Sequence, residues 1–583
     1  MRDFIKNVLA NFVAFMLLII GFFGFMIFII ALGSMRGNES VKIEKKSVLT
    51  LDDKFRVIET DTEKDLNPFQ LTKDKKDIQI YDLVKAIKKA KNDLNIQAIS
   101  IENDRLSAGL SQVENIRAAL EDFKTSGKKV YAYGNTVSQS SYFLGTVANK
   151  YILSPAGGID LKGMASEVVF FKDFAEQYGI GFNVIRHGKF KAAVEPFLRN
   201  DISPENEEQL SVLLNDLWSE VAPKISASRK INVAQFKTVT DSLYGMIPEL
   251  SLKNKLADQL LQKPEYDNMI KSELGLAKDE DLNKVSIGKY IATLEENTSG
   301  KDEVAILYAS GSIMDGDDVT GISSKKYIEY IQDLKDDENV KAVVLRVNSP
   351  GGSANASDQI LYELQQLKLK KPLVVSFGDY AASGGYYISM AGEKIFAEPT
   401  TITGSIGVFG MVTDFKKLAH KNGINSDIVE TNANSQMFSP INGVSDGTLA
   451  MLQKSVEQTY KRFVYFVTQN RHKTFEEIDA IGGGRVWSGK RAKEIGLVDE
   501  LGSLDDAVRY AAKKAKLKDY QAVGYPGEIS PLEEFFKSIN EDNISTYFMK
   551  QRLSEEQYKM FETVEKLKHY KGTMMYTPYK VLF

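Results

Sequence analysis

The stretch Pro372–Ser389, PLVVSFGDYAASGGYYIS, runs from an apolar strand pattern through a turn of small residues into the start of a helix. A second apolar run, VKAVVLRV at Val340–Val347, precedes it and is followed by its own turn and helix-period segment. Short apolar runs that alternate with helical patterns are typical of parallel βαβ units, whose strands are buried on both faces. The pattern therefore predicts an α/β fold built on a parallel sheet.

The same stretch is written twice along the chain. Moving back 244 residues from Pro372 reaches Lys128, where KKVYAYGNTVSQSSYFLG repeats the pattern without an insertion. Identical residues at this offset include Gly378 and Gly134, Tyr386 and Tyr142, Lys394 and Lys150, Pro399 and Pro155, Gly407 and Gly163, and Pro440 and Pro196. One offset held over about a hundred residues predicts a tandem duplication of a single α/β domain.

We expect four regions along the chain: an amino terminus with a membrane anchor at 1–36, a first repeat at 37–295, a second repeat at 296–525 and a helical tail at 526–583. Residues 8–32 are uncharged and apolar, and as a helix they would reach about 37 Å, more than the roughly 30 Å of a bilayer core. Arg2 and Lys6 favour a cytoplasmic amino terminus, although Arg36 lies beyond the run. The repeats would then lie outside the cytoplasm.

The composition of the 583-residue chain excludes several kinds of protein. A net charge of −4 provides no basic surface for binding nucleic acid. The chain has no cysteine, so it contains neither disulfides nor thiolate chemistry. Its four histidines show no H-x-x-x-H spacing, which argues against a zinc hydrolase.

The differences between the two copies indicate where chemistry was kept. Ser383 in the second copy corresponds to Gln139 in the first, and the glycine pair Gly351–Gly352 corresponds to Ser107–Ala108. Conversely, Lys191 in the first copy corresponds to Ser435 in the second. If the ancestral domain used both a serine and a lysine, each copy has retained one of them.

A serine hydroxyl needs a base to remove its proton, and no usable histidine accompanies Ser383. Lysine is the remaining choice, and keeping it neutral at pH 7 costs about 4.6 kcal/mol, which burial between two domains could supply. We therefore predict Ser383 as nucleophile and Lys191 as base. The alternative interpretation is that Ser383 only caps a helix.

The NSPGG segment at Asn348–Gly352 could supply backbone N–H groups for a developing oxyanion. We predict the N–H groups of Gly352 and Gly384 as the two donors, because a side chain at either position would block a substrate and Gly384 starts a helix. The alternative is that this Pro-Gly-Gly segment is only a turn.

Five motifs, which in chain order are GKFKAAVEPF, RVNSPGG, GDYAASGGYYIS, TGSIGVFG and RVWSGKRAKEIGLVDELG, resemble the signal peptide peptidase A (protease IV) family in its long two-domain form. The resemblance covers residues from about 50 to about 525. It implies tandem Clp/crotonase-like α/β domains behind one transmembrane helix. It also implies a Ser–Lys dyad of Ser383 and Lys191, with Ser405 of TGSIG orienting the lysine.

The resemblance further implies a homotetramer in the bacterial inner membrane, with its catalytic domains on the periplasmic side. The substrates would be cleaved signal peptides, hydrolysed through an acyl-enzyme with neither metal nor other cofactor. Ser383 could meet the lysine of its own chain or that of a neighbour.

Two other functions fit parts of the pattern. A crotonase-type enzyme would use the same oxyanion turn on an acyl-CoA, but it needs neither Ser383 nor Lys191. A catalytically inactive membrane scaffold would use the duplicated domains only for assembly, and it would have no reason to keep both groups.

Overall fold

The computed structural model describes residues 6, 12–18, 21, 24, 43–60, 76–277, 279–294, 302–317, 321–527 and 573–577. The predicted membrane segment, 8–32, lies for the most part outside these residues. Within the described ranges, no helix has both the length and the apolar character needed to cross a bilayer.

The first repeat alternates strands and helices. Its strands are β1 Ser47–Asp52, β2 Phe55–Ile58, β3 Lys76–Gln79, β4 Ile96–Glu102, β5 Lys129–Val137, β6 Lys150–Ile159, β7 Gly181–His187, β8 Gln259–Leu260 and β9 Lys284–Ser286. Its helices are α1 Ile80–Ala90, α2 Leu110–Lys124, α3 Gln139–Gly145, α4 Lys172–Tyr178, α5 Glu195–Leu198, α6 Pro204–Arg229, α7 Val233–Asp241, α8 Pro248–Lys253, α9 Lys263–Glu273 and α10 Ile287–Ile291.

The second repeat also alternates strands and helices. Its strands are β10 Glu303–Ser310, β11 Ile313–Met314, β12 Ile322–Ser323, β13 Val340–Ser349, β14 Gly351–Ser353, β15 Leu373–Ala382, β16 Ile395–Ala397, β17 Ile402–Gly404, β18 Val408–Asp414, β19 Phe438–Ser439, β20 Gly443–Val444, β21 Val486–Ser488, β22 Glu500–Leu501 and β23 Gln521–Tyr525. Its helices are α11 Ser324–Asp336, α12 Ala354–Lys370, α13 Gly384–Ile388, α14 Lys416–Lys421, α15 Asp446–Arg471, α16 Phe475–Ile481, α17 Gly489–Glu494 and α18 Leu504–Lys514. A last strand, β24, covers Thr573–Tyr576.

Each repeat is built on its own sheet, and the predicted α/β architecture with parallel strands is confirmed. The first sheet has the order β8-β6-β5-β4-β1-β9, with every pair parallel. The second has the order β21-β17-β15-β13-β10-β23, in which only the β17–β21 pair is antiparallel. Strands such as β13 are buried along most of their length because helices cover both faces.

The duplication is visible in the helices as well as in the sheets. Helices α6 and α15 both have 26 residues. Each begins behind a serine, Ser203 or Ser445, whose hydroxyl accepts a hydrogen bond from a backbone N–H of the first turn. The long helix of each repeat therefore begins with the same serine cap.

A third sheet joins the repeats, in the order β12-β11-β14-β24-β18-β7. Strand β7 of the first repeat pairs antiparallel with β18 of the second through seven residues, from His187 opposite Val408 to Gly181 opposite Asp414. This pairing brings the loop after β7, which contains Lys191, toward Ser383 and toward the glycines of β14.

Two local expectations differ from the structure. The NSPGG segment is not only a turn, because Gly351–Ser353 continues as strand β14. The tail, expected to be helical, is extended where it is described, since Thr573–Tyr576 forms β24 between β14 and β18. The backbone N–H and C=O groups of β24 form hydrogen bonds with β14 and β18. This tertiary pairing overrides the local helical periodicity of the sequence. Residues 528–572 and 578–583 of the tail lie outside the described residues.

Candidate active site

Ser383 stands at the sharp junction between β15 and α13. Its backbone has φ 54° and ψ −113°, a combination that costs a non-glycine residue about 1–3 kcal/mol. The Ser383 N–H donates to the Gly404 carbonyl at 2.9 Å, which holds the turn in place. Its hydroxyl makes no helix-capping hydrogen bond, so the capping interpretation is wrong. A strained serine at a strand-to-helix turn projects its hydroxyl toward the carboxyl edge of the sheet.

Lys191 reaches this hydroxyl from the other repeat. It lies just after β7 and before a short 3₁₀ helix, Ala192–Val194. The Lys191 Nζ atom is 2.8 Å from Ser383 Oγ within the same chain. Lys191 is 1% exposed and Ser383 is fully buried, so the pair is closed off from bulk water.

Glycines of the second repeat hold the lysine loop in position. The Phe190 N–H donates to the Gly483 carbonyl at 3.0 Å. A Cβ on Gly484, which has φ 89°, would lie 2.6 Å from the backbone nitrogen of Lys191. Glycine is required there because the two backbones approach too closely for any side chain.

Ser405 contacts the same amine from the loop between β17 and β18. Lys191 Nζ is 3.0 Å from Ser405 Oγ and 3.3 Å from the Ser405 carbonyl oxygen. The Ser405 hydroxyl donates to the Gly484 carbonyl at 3.2 Å, which leaves its lone pairs directed at the lysine. Ser405 also has a positive φ, 49°, a conformation that is uncommon for a residue other than glycine.

Burial lowers the pKa of Lys191 well below its ordinary value. Desolvation is the sole cause, since no neighbouring carboxylate raises the pKa in return. A lowered pKa makes the neutral form of the amine easier to reach, and a neutral amine accepts a proton from a hydroxyl at hydrogen-bond distance.

The two predicted oxyanion donors lie next to each other. The Gly352 nitrogen is 3.2 Å from the point where a Cβ on Gly384 would stand. Gly384 opens α13, where backbone N–H groups of the first turn have no partner within the helix. A Cβ on Gly352 would lie 1.9 Å from the Ile313 carbonyl oxygen, so the strand leaves no room for another residue.

The equivalent position in the first repeat is filled by an amide. Gln139 Oε1 accepts hydrogen bonds from the backbone N–H groups of Lys162 and Gly163, at 2.9 Å and 2.8 Å. Gln139 Nε2 donates to the Gly163 carbonyl at 2.8 Å. Ser435, the counterpart of Lys191, lies in an exposed loop and bonds only within it. The first repeat therefore presents no serine–amine pair here.

Two features of the site were not foreseen from the sequence. The Gly407 carbonyl is 3.5 Å from Ser383 Oγ, and Gly484 supports both Lys191 and Ser405. The run of glycines in IGGGR was a signal for a close backbone approach, but it does not say what approaches. Among the described residues there is no cluster of histidine, aspartate and glutamate that could hold a metal ion.

The sequence of the chain is similar to those of known proteases. Residues 122–276 and 365–518 match peptidase family S49, and residues 295–422 match the Clp protease family. Protease 4 of Salmonella typhi is 38% identical over 79% of this chain and 76% of its own length. Protease 4 of Haemophilus influenzae is 33% identical over 76% and 74%. The chloroplastic serine protease SPPA of Arabidopsis thaliana is 32% identical over 74% and 64%.

Proposed function

The chain belongs to peptidase family S49, and from that premise we propose that it is a serine endopeptidase in which Ser383 is the nucleophile and Lys191 the general base. One observation carries the proposal: the 2.8 Å separation of Lys191 Nζ and Ser383 Oγ, two buried groups from opposite repeats. A buried lysine with a lowered pKa, at hydrogen-bond distance from a strained serine, is the kind of group that concentrates at catalytic sites.

In the first step, the Lys191 amine takes the proton of Ser383 Oγ while that oxygen bonds to the carbonyl carbon of the peptide. The negative charge that develops on the carbonyl oxygen is stabilised by the N–H groups of Gly352 and Gly384. The Lys191 ammonium then gives its proton to the leaving amine as the peptide bond breaks. Water, deprotonated by the same amine, hydrolyses the acyl-enzyme and frees Ser383.

Ser405 has a positioning role in this scheme. While Lys191 carries the proton, its ammonium needs acceptors, because an unsolvated charge in an apolar pocket is costly. The hydroxyl and carbonyl oxygens of Ser405 supply two acceptors at 3.0 Å and 3.3 Å. They also fix the direction of the lysine side chain toward Ser383.

The substrates and the cellular setting are part of the same proposal. We propose that the enzyme cleaves signal peptides left in the membrane, that residues 8–32 anchor it there, and that it works as a homotetramer on the periplasmic side of a bacterial inner membrane. The uncharged run behind Arg2 and Lys6 supports the anchor, and the resemblance of the five motifs supports the substrates and the tetramer.

A fluorophosphonate probe followed by mass spectrometry tests the assignment. We expect labelling at Ser383, complete loss of labelling and peptidase activity in Ser383→Ala, and a loss of about 10²–10⁴ in rate in Lys191→Ala. Lys189→Ala is the matched control, because this lysine is exposed two residues away. Full activity in either dyad variant, with an unchanged circular dichroism spectrum, would refute the proposal.

A further inference from the structure

The described part of the tail lies in the groove beside the proposed catalytic serine. Strand β24 pairs antiparallel with β14, with Gly351, Gly352 and Ser353 opposite Tyr576, Met575 and Met574. On its other side it pairs antiparallel with β18, with Phe409 opposite Met574 and Gly410 opposite Thr573. The segment is therefore an extended peptide held on both edges by backbone hydrogen bonds.

This groove has room for a single strand. Strands β14 and β18 do not pair with each other, and β24 is the element between them. Neighbouring strands are about 4.8 Å apart, so removal of β24 would leave a gap of roughly 9.6 Å with unpaired backbone groups on both edges. Any peptide that binds there by strand addition must take the place of β24.

The register of β24 directs a carbonyl at the predicted oxyanion donors. The Thr577 N–H donates to the Pro350 carbonyl at 2.9 Å, which makes Pro350 and Thr577 a hydrogen-bonded pair. Such pairs alternate along an antiparallel ladder, so Gly352 and Met575 form the next one, with the Gly352 N–H facing the Met575 carbonyl.

The second donor is close to the same carbonyl. The Met575 carbonyl oxygen and the Gly384 nitrogen lie 2.0 Å and 2.7 Å from the point where a Cβ on Gly351 would stand. This crowding explains why position 351 is a glycine, and its φ of 101° adds a conformational reason. Both proposed donors thus lie close to the carbonyl of one tail residue.

The two methionine side chains of the segment are buried. Met575 is 1% exposed and Met574 is 5% exposed. Met574 packs in a cluster with Ala193, Val194 and Phe409, the first two of which lie just after Lys191. Thr573 and Met575 face the other way, onto a cavity of about 360 Å³ beside Tyr387. The cavity leaves space for a larger residue than methionine.

From this geometry we propose that Thr573–Thr577 is an internal pseudosubstrate, docked as a peptide strand with the Met575 carbonyl between the Gly352 and Gly384 N–H groups, and that it competes with substrate for the groove. The inference rests on the proposed function, because it takes the groove beside Ser383 to be the peptide site. It further assigns the 360 Å³ cavity as the pocket for the substrate residue whose carbonyl is attacked.

Truncation of the full-length protein tests the competition. A chain ending at Gly572 loses the strand, and a matched chain ending at Thr577 keeps it. If the strand fills the groove for about nine-tenths of the time, the first truncation lowers the KM for a short chromogenic peptide about tenfold, and the second leaves it unchanged. Equal KM values for all three chains would overturn the proposal.

A disulfide provides a second test that does not require activity. The chain has no cysteine, so Phe409→Cys together with Met574→Cys introduces a single possible pair. Opposite residues of an antiparallel ladder have Cα atoms about 4.5–5.5 Å apart, within the range that a disulfide spans. Mild oxidation should cross-link the double variant, as measured by mass spectrometry, and failure to cross-link would contradict the docking.

The two tests separate this inference from the proposed function. Cross-linking that abolishes activity, with recovery on reduction and no redox response in the single variants, supports the pseudosubstrate. A cross-linked enzyme that remains fully active would overturn it and leave the peptidase assignment standing. Cross-linking in a chain whose activity persists after Ser383→Ala would instead refute the proposed nucleophile.

Discussion

At the scale of single residues, the site depends on how Lys191 is solvated. Its amine has three oxygen neighbours within 3.3 Å, from Ser383 and Ser405, and no charged one. Hydroxyl and carbonyl oxygens stabilise a proton on Nζ less than water does, so burial lowers the pKa of Lys191 well below its ordinary value. In the proposed mechanism, this amine takes the place of a histidine base.

We expect kcat/KM to rise with pH through one ionisation that lies well below 10.4, the ordinary pKa of lysine. The sign follows from the mechanism, because Lys191 must lose its proton before it can accept one from Ser383. Activity is therefore absent below the lowered pKa and reaches a plateau above it. The measurement is kcat/KM for a neutral peptide between pH 5 and pH 10.

Lys191→Arg serves as the control for this profile, because a guanidinium stays protonated across the range. That variant should show no rising limb and almost no activity. A flat profile in the unmodified enzyme would count against Lys191 as the base.

At the scale of elements, the equivalent strand-to-helix junction carries a different residue, with a different role, in each repeat. The junction before α13 presents Ser383, whereas the junction before α3 presents Gln139. The Gln139 amide accepts hydrogen bonds from the N–H groups of Lys162 and Gly163 and donates one to the Gly163 carbonyl, and these three bonds connect that loop to the start of the helix. The amide thus has a structural role where the other repeat has the proposed nucleophile.

Gln139→Ser should destabilise the protein without creating a second reactive site. Serine is too short to reach the 162–163 loop, and each of these part-buried hydrogen bonds contributes about 0.5–1.5 kcal/mol to the unfolding free energy. The double variant Gln139→Ser with Ser383→Ala should remain unlabelled by a fluorophosphonate, because no amine stands beside the new hydroxyl. Labelling at position 139 would show that the first repeat had retained a working pocket.

The elements also show how far sequence reasoning could reach. The apolar runs at 340–347 and 372–377 predicted β13 and β15 because a strand buried on both faces leaves a local signature. The constant offset predicted which junctions are equivalent, and hence that Ser383 and Gln139 occupy the same place. By contrast, β24 has no local signature, since its extended conformation depends on β14 and β18, each more than 150 residues away. The contact between Lys191 and Ser383 was predicted only from chemistry, because each copy had kept one of the two groups, and no sequence pattern placed them next to each other.

At the scale of the whole molecule, the two repeats are joined by buried polar groups as well as by the β7–β18 ladder. Arg346, on β13, donates to both carboxylate oxygens of Glu59 at 2.9 Å and 3.1 Å, and both residues are at most 1% exposed. The Thr400 hydroxyl donates to Glu114 across the same interface at 2.6 Å. Because the proposed dyad is split between repeats, we expect this interface to maintain the 2.8 Å separation of Lys191 Nζ and Ser383 Oγ.

One carboxyl group at this interface makes the stability of the molecule depend on pH. Burial raises the pKa of Glu398 to about 8, with a further contribution from the nearby Glu114, while Arg346 acts in the opposite direction. Between about pH 4.3 and 8 the folded protein holds a proton that the unfolded chain releases, so stability falls as pH rises through this window. Glu398→Gln should remove that dependence and raise the unfolding free energy at pH 8 by a few kcal/mol. Urea titrations at pH 5 and pH 8 measure the difference; an identical loss of stability in both proteins would place its origin elsewhere.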